Sequence, residues 1–570
     1  MSTKTKLIPI LLGAASVVAF AQPAWAGDPA AAPAPAASEP SLDQQFRDPP
    51  NAARPRVWWH WMNGNISKDG IAKDMAWMKA VGIGGLQNFD ANLMTPQVVD
   101  KRLVYMTPEW KDAFRFAASE ADRLGLELAI AASPGWSETG GPWVKPEDGL
   151  KKVVWSEARV APGKRLGASL AAVPGVTGPY GNMPMQADLG ASLSGPQKAS
   201  PPPAMSGDIA VLAMPVAVAD AAMPSAMLGD GTPLDAAKLS GADLTTSVTV
   251  PRGSAAAPTA IVYNWPKPHT VRSASLYIDG AKMIFGGPSL APVLEASDDG
   301  KTWRKVADVP LTEVLSTVSF APVTARSFRV VLVPATSKFT LNALGSAAPG
   351  VAMNFDISAV TAGVKTLKAR HFSLSGDARV DQGAEKAAFA TVPDYYALPQ
   401  VTDGAMGAAP ASVLDLTGKL RADGTLDWTA PKLPKGMEWR VLRMGWSLLG
   451  TTNHPAPAEA TGLEVDKFDG DAVRRYMEHY LGMYRDATGA DLLGAHGVRA
   501  VLTDSIEVGA ANWTPKMVAQ FKRLRGYDPT PFLPALAGVL VVGAIWMRGA
   551  LAELNMLDRW PRVLHHLDQP

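Results

Sequence analysis

From Arg56 the chain alternates short apolar runs with segments whose apolar residues recur every three or four positions. Val57 to Trp61 is apolar and aromatic apart from His60, which suits a buried strand. Ser67 stands where it can cap a helix that carries Ile71, Met75 and Met78 on one face. Ile83 to Phe89 predicts the next strand. Thr107-Pro108 marks a helix start, with a cap followed by proline at the first position. Trp110, Phe114, Ala117, Ala121 and Leu124 then share one stripe, and Gly125 ends it. Leu126 to Ala131 predicts a third strand. Strands and helices alternating at this spacing predict parallel βα units.

The rhythm breaks between residues 155 and 440, where short β-type runs are separated by Pro, Gly and Ser. Residues 173–206 read as a long surface excursion. Residues 258–335 predict a compact β-sandwich, with strands at Ala260 to Tyr263, Ser273 to Ile278, Val293 to Ala296 and Ser327 to Val333. Glu295 to Trp303 contains Asp299-Gly300 and predicts a hairpin. The βα rhythm returns near Trp439. Val441 to Trp446 is strand-like, and a helix follows from about Gly470 to Ala487 with Val473, Met477, Tyr480 and Tyr484 on one stripe. Val498 to Thr503 predicts another strand. Thr514-Pro515 opens a helix with Val518, Phe521 and Leu524 facing inward.

The fold class is therefore α/β: a TIM-like (β/α) barrel interrupted by a large β-sandwich insertion, with a doubly wound open sheet as the alternative. The expected divisions are a barrel start at 46–154, a β-rich insertion at 155–440, a barrel continuation at 441–537 and an atypical tail at 538–570. No G-x-G-x-x-G follows any strand, which disfavours nucleotide binding.

The ends of the chain need separate treatment. Lys4 and Lys6 precede an apolar stretch from Leu7 to Phe20, and Ala24-Trp25-Ala26 forms a cleavage site of the A-x-A type. Residues 1–26 are thus expected to be a signal peptide, with a periplasmic or secreted product and no membrane attachment after cleavage. The stretch is shorter than the roughly 20 residues that span a bilayer. Residues 27–45, rich in Ala and Pro, read as a linker.

Composition narrows the chemistry. Among 570 residues, 54 Lys and Arg face 53 Asp and Glu, so no overall field draws the chain to nucleic acid or anionic lipid. The absence of cysteine excludes disulfides, thiol nucleophiles and Cys-type zinc sites. The 17 Trp outnumber the 15 Phe and the 10 Tyr. Indoles suit the apolar faces of sugars, although ordinary core packing is the competing reading for each of them. No H-E-x-x-H, Walker A or G-x-S-x-G occurs.

In a (β/α) barrel the site lies at the C-terminal ends of the strands. Strand one runs into His60, Trp61 and Asn63; strand two ends at Asp90; strand three leads to Trp136 and Glu138 in a Gly-rich loop; the late strand leads to Asp504 and Glu507. Aromatics beside amides and carboxylates suit a polyhydroxylated ring. Asp504 and Glu507 follow an apolar strand, where burial and a neighbouring carboxylate raise a carboxyl pKa, as a general acid requires. Against this, Asp504 could cap a turn, Glu507 could be solvated, and His60 could be a hydrogen-bonded core residue.

Several ordered segments resemble the α-L-rhamnosidases of glycoside hydrolase family 106. They are Trp58 to Asn65, Gly82 to Gly85, Ser133 to Pro142, Gly462 to Lys467, and Asp504 to Glu507 with Asn512-Trp513-Thr514. The resemblance, over roughly residues 45–537, implies a (β/α) barrel with β-sandwich insertions and inverting hydrolysis of terminal α-L-rhamnosides. Rhamnose-containing glycosides or oligosaccharides would be the ligands. It implies Glu507 as general acid and Asp504 as its neighbouring pocket carboxylate. His60, Trp61, Asn63, Asp90, Trp136 and Glu138 would shape the sugar subsite. A calcium ion near the sugar hydroxyls is implied as well, with no ligand assignable from the sequence.

The sandwich at 258–335 in turn resembles discoidin-like, galactose-binding-like modules. The likeness to the rhamnosidases stops near Ala537, and only about five of eight barrel strands are expected. The change of character after Gly538 predicts a shifted or shortened reading frame, with the second catalytic carboxylate encoded beyond it, so that hydrolysis by this chain is expected to be impaired. Two other readings compete: a retaining glycosidase using Glu138 or Glu464 as nucleophile, and a non-catalytic carbohydrate-binding protein.

Overall fold

The computed structural model describes residues 40–185, 203–218, 222–282, 288–335, 364–392, 394–399, 407–506 and 508–541, with the backbone alone at 339–340 and 354–355. The signal-peptide expectation, Glu507 and most of the tail lie outside these residues. The chain divides into a unit ending at Arg54 and a second beginning at Pro55. In the first, α1 (Leu42–Arg47) is closed by a capping box between Ser41 and Gln44.

The second unit opens with the expected βα succession. β1 (Arg56–Met62), α2 (Lys68–Ala80), β2 (Gly85–Ala91), α3 (Pro108–Leu124) and β3 (Glu127–Ala131) follow one another, and β18 (Val498–Leu502) joins them much later. The sheet order is β1-β2-β3-β18, all parallel, in registers such as Trp61↔Asp90 and Leu502↔Ala131. Ser67 caps α2 at the Gly70 amide and Thr107 caps α3 at the Trp110 amide. Gly125 adopts the left-handed conformation that ends α3. Trp59 and Trp61 of β1 pack with Met75 of α2, with Trp110 and Phe114 of α3, and with Tyr480 and Tyr484 of α6 (Gly470–Thr488). The buried stripe of α6 is Ala472, Tyr476, Tyr480 and Tyr484, while Val473 and Met477 pack at its margin.

A closed TIM barrel is not what the described residues form. The parallel sheet has four strands and is open. The run at Val441 to Trp446, expected to continue the barrel, lies in β17 (Met437–Leu448). This strand sits between β4 (Lys151–Val160) and β5 (Ser206–Ala217), antiparallel to both, in a sheet whose edge is β16 (Leu414–Asp415). A strand buried on both faces reads as the same apolar run whichever way its neighbours point, so periodicity alone could not reveal the direction.

The insertion contains the expected sandwich. β6 (Ser225–Leu228), β7 (Pro233–Leu234), β8 (Val248–Pro251), β9 (Thr259–Ile278), β10 (Leu290–Ser297), β11 (Arg304–Asp308), β12 (Ser316–Pro334) and β15 (Thr366–Ser375) form one eight-stranded antiparallel sheet. A two-residue pair, β13 (Phe339–Thr340) and β14 (Asn354–Phe355), stands apart. The 20-residue β9 and 19-residue β12 pair along both halves, with register shifts between them. The sheet folds over itself at those irregularities. Tyr263 in the first half of β9 thereby packs on Phe372 of β15 at 4.7 Å, and its hydroxyl donates to the Phe372 carbonyl. The β10–β11 hairpin turns at Gly300, with φ +72°.

Short helices α4 (Ala236–Ser240) and α5 (Gly383–Lys386) lie within the insertion, and α7 (Met517–Arg525) follows β18. In α7, Met517 and Phe521 are buried, whereas Leu524 faces outward.

Candidate active site

The two faces of the parallel sheet divide the expected site residues. Trp61 and Asp90 are register partners, so their side chains share the helix-facing side. Trp61 is buried against Trp110 and Phe114. Asp90 is buried as well, and its Oδ1 accepts from the Trp110 indole at 2.9 Å while Oδ2 has no partner. Burial pushes its carboxyl up to about 8, opposed by the Trp110 bond. Both residues thus belong to the layer between sheet and helices. Asn63 follows β1 with φ +50°, and its Nδ2 donates to the Thr95 carbonyl, which shapes a turn.

The opposite face carries an aromatic patch. His60 stacks on Phe89 at 5.0 Å and 18°, with Trp58 at 5.7 Å from His60 and 5.4 Å from Phe89. Trp58 is 58% exposed. Trp136, from the loop after β3, donates its indole N–H to His60 Nε2 at 2.9 Å. His60 is therefore held as the neutral tautomer with its proton on Nδ1. Burial also lowers its pKa.

Two loops build the polar part. The loop Ser133 to Gly141 lies against the segment Thr451 to Lys467, and backbone bonds join them: the Trp136 amide donates to the His454 carbonyl and the Gly141 amide to the Leu463 carbonyl. Asn453 Nδ2 donates to the Pro134 and Ala460 carbonyls, while its Oδ1 accepts from the Gly462 amide. Contact is close enough that a Cβ at Gly135, which has φ +83°, would lie 2.6 Å from the His454 carbonyl carbon. From beneath, the Tyr476 hydroxyl donates to the Ala132 carbonyl and the Tyr480 hydroxyl to the Ala131 carbonyl. The last residue of β3 and the one after it are thus fixed to α6.

On this scaffold Glu138 meets a group that sequence reasoning had not assembled. Glu464 Oε2 accepts from Thr139 Oγ1 and from Lys467 Nζ, each at 2.6 Å. Glu138 is only 4% exposed, and its Oε2 has no hydrogen-bond partner. Burial pushes the Glu138 carboxyl up to about 7, helped by Glu464 and opposed by Lys467. One carboxyl that keeps a proton near neutrality therefore lies beside one paired with an ammonium group. The signal available beforehand was the i, i+3 spacing of Glu464 and Lys467; the approach of Thr139 had none.

Asp504 lies half-buried just beyond β18, and its Oδ1 accepts from the Ser505 amide at 2.8 Å. Glu507, three residues further along the chain, is outside the described residues. Among the described residues no three His, Asp or Glu side chains converge as a metal site would need. In the Glu138–Glu464 pair Glu464 is already committed to Lys467 and burial favours the protonated Glu138, so the pair does not fit a calcium ion, which favours several carboxylate and carbonyl oxygens. No helix among these residues is long and apolar enough to cross a membrane.

Comparison with known proteins places this geometry. The chain is similar to a solved rhamnosidase from Novosphingobium sp. PP1Y, with 53% identity, a TM-score of 0.78, and coverage of 90% of this chain and 45% of that one. It is 28% identical over 501 residues to a putative beta-glucuronidase of Formosa agariphila, covering 88% of this chain and 27% of that protein. The chain thus spans less than half the length of these two relatives. Residues 47–547 match the sequence profile of glycoside hydrolase family 106, described as alpha-L-rhamnosidase, and the chain belongs to that family.

Proposed function

We propose that the protein acts in hydrolysis of terminal α-L-rhamnosides, exported from the cytoplasm by its N-terminal segment. The observation that carries the reading is the Glu138–Glu464–Lys467–Thr139 group beside the His60–Trp136 pair. It offers hydroxyl-binding donors and acceptors next to aromatic faces. The arrangement suits a deoxyhexose, whose apolar face can lie on indole or imidazole while its hydroxyls meet carboxylates.

In this reading Glu507 donates the proton to the leaving oxygen, Asp504 beside it tunes or holds the sugar, and the Glu138 group orients the ring. Inversion then requires a water-activating carboxylate about 6.5–9.5 Å from the acid. No step is derived through calcium.

The test is release of p-nitrophenol from its α-L-rhamnoside by the purified chain, with proton NMR of the first-formed anomer. Loss of turnover in Glu507→Gln with retained rhamnose binding supports the assignment. Unchanged turnover in that variant sinks it, and a retained anomer sinks inversion.

A further inference from the structure

A cavity of about 780 Å³ lies away from the ends of the parallel strands, between the β4–β5–β17 sheet and the sandwich. This volume matches what small-ligand sites usually offer. One wall is an aromatic triangle: Tyr180 stands 5.7 Å from Trp155 and 4.9 Å from Phe389, ring centre to ring centre. The opposite wall is polar. His371 bonds the Gly241 carbonyl through Nδ1 and Ser373 Oγ through Nε2, which leaves no vacant ring nitrogen.

The charges lining the cavity are engaged, with one exception. Arg159 pairs with Asp377 and Glu438, and Glu157 pairs with Arg440 and Arg159. Asp243 accepts from Thr245 and Asn182. Among the described residues the guanidinium of Arg379 has no hydrogen bond or ion pair, although Glu157 and Asp377 attract it from a longer distance. The Tyr180 hydroxyl, beside it, likewise has no hydrogen bond there.

A guanidinium lodged in protein without an acceptor is costly, and its planar fork suits a carboxylate in two-point contact. Glu157 and Asp377 already offset part of the Arg379 charge, which leaves room for a monoanion rather than a phosphate dianion. Aromatic faces with surrounding hydroxyls suit the ring that bears the charge.

From this juxtaposition we propose that the cavity between the β4–β5–β17 sheet and the sandwich binds a sugar carboxylate, a uronic acid residue, with Arg379 on the carboxylate and Trp155, Tyr180 and Phe389 against the ring. The site is separate from the hydrolytic reading, because its occupancy is measured without turnover.

Calorimetric titration of the full chain with methyl glucuronide, methyl glucoside and galactose 6-sulfate tests it. Saturable binding of the glucuronide is expected, at least about tenfold tighter than of the glucoside. Arg379→Gln should abolish that difference while circular dichroism stays native. Arg379→Lys keeps the charge and loses the fork, so it should weaken binding in between. Tyr180→Phe supplies an independent loss of a few-fold and covers the case in which the arginine variants fail to fold. No saturable glucuronide binding, equal binding of the glucoside, tighter binding of the sulfate, or wild-type affinity in the folded variants would each overturn the proposal.

Discussion

The indole N–H of Trp136 points at Nε2 of His60 and closes the aromatic patch at the ends of β1 and β3. The two residues lie on different elements, and the bond ties the loop after β3 to the sheet face opposite the helices. It also selects the charge state of the imidazole, since a protonated Nε2 could not accept.

Trp136→Phe keeps an aromatic face and removes the donor. The variant should lose about 1 kcal/mol of stability, and the His60 pKa should rise toward its ordinary value because the neutral form loses its partner. Nitrogen chemical shifts of His60 against pH would show this. An unmoved titration curve would mean that burial alone sets the charge state.

Asp90 makes a prediction with a defined pH window. Its carboxyl is raised from 3.8 to about 8 by burial, so the folded chain holds a proton that the unfolded chain releases between those values. Its favourable contribution is complete below 3.8 and fades as pH rises through 8. Asp90→Asn keeps an acceptor for Trp110 without the titration. It should stabilise the chain by about 2–4 kcal/mol at pH 8 and little at pH 4. Thermal melts at the two pH values decide the matter; equal gains at both would refute the assignment.

Glu464→Gln removes the partner of Lys467 from the polar group. Lys467 would then lose its carboxylate, at a cost of about 3 kcal/mol for a pair shielded from water. Glu138 would lose a like charge and feel the ammonium alone, so its pKa should fall from about 7. Carboxyl carbon shifts would follow that change, and a Glu138 value that stays put would show that Glu464 does not act on it.

Gly135→Ala probes the contact between the two loops. A methyl group there must displace the His454 backbone and adopt φ +83°. The expected loss is about 2 kcal/mol or more, with displacement of Trp136. A variant with wild-type melting temperature would show that the loops separate readily.

The helices and strands from Arg56 to Ala131 were legible because each buries one face, and burial writes its period into the residues. The capped starts at Ser67 and Thr107 were legible because backbone amides at helix ends need an acceptor. The same logic misplaced the inward stripe of α6 by one position, since a helix with tyrosines and methionines on adjacent flanks offers two comparable faces. The site was legible as a set of strand-end loops, but not as a set of contacts. Trp61 and Asp90 sit where the pattern put them along the chain, yet alternation along a strand turns them toward α3 and away from His60.

What the sequence determined by itself is local: which segments are strand or helix, where they stop, and which family pattern their ordered motifs carry. What only the tertiary structure decided is the partner of each face. Apolar runs do not encode strand direction, so β17 could be placed between β4 and β5 only in three dimensions. Nor do lone carboxylates encode their neighbours. Glu138 becomes a proton-holding group because burial takes water away from it, while a segment more than three hundred residues later brings up Glu464, which adds to the effect, and Lys467, which opposes it.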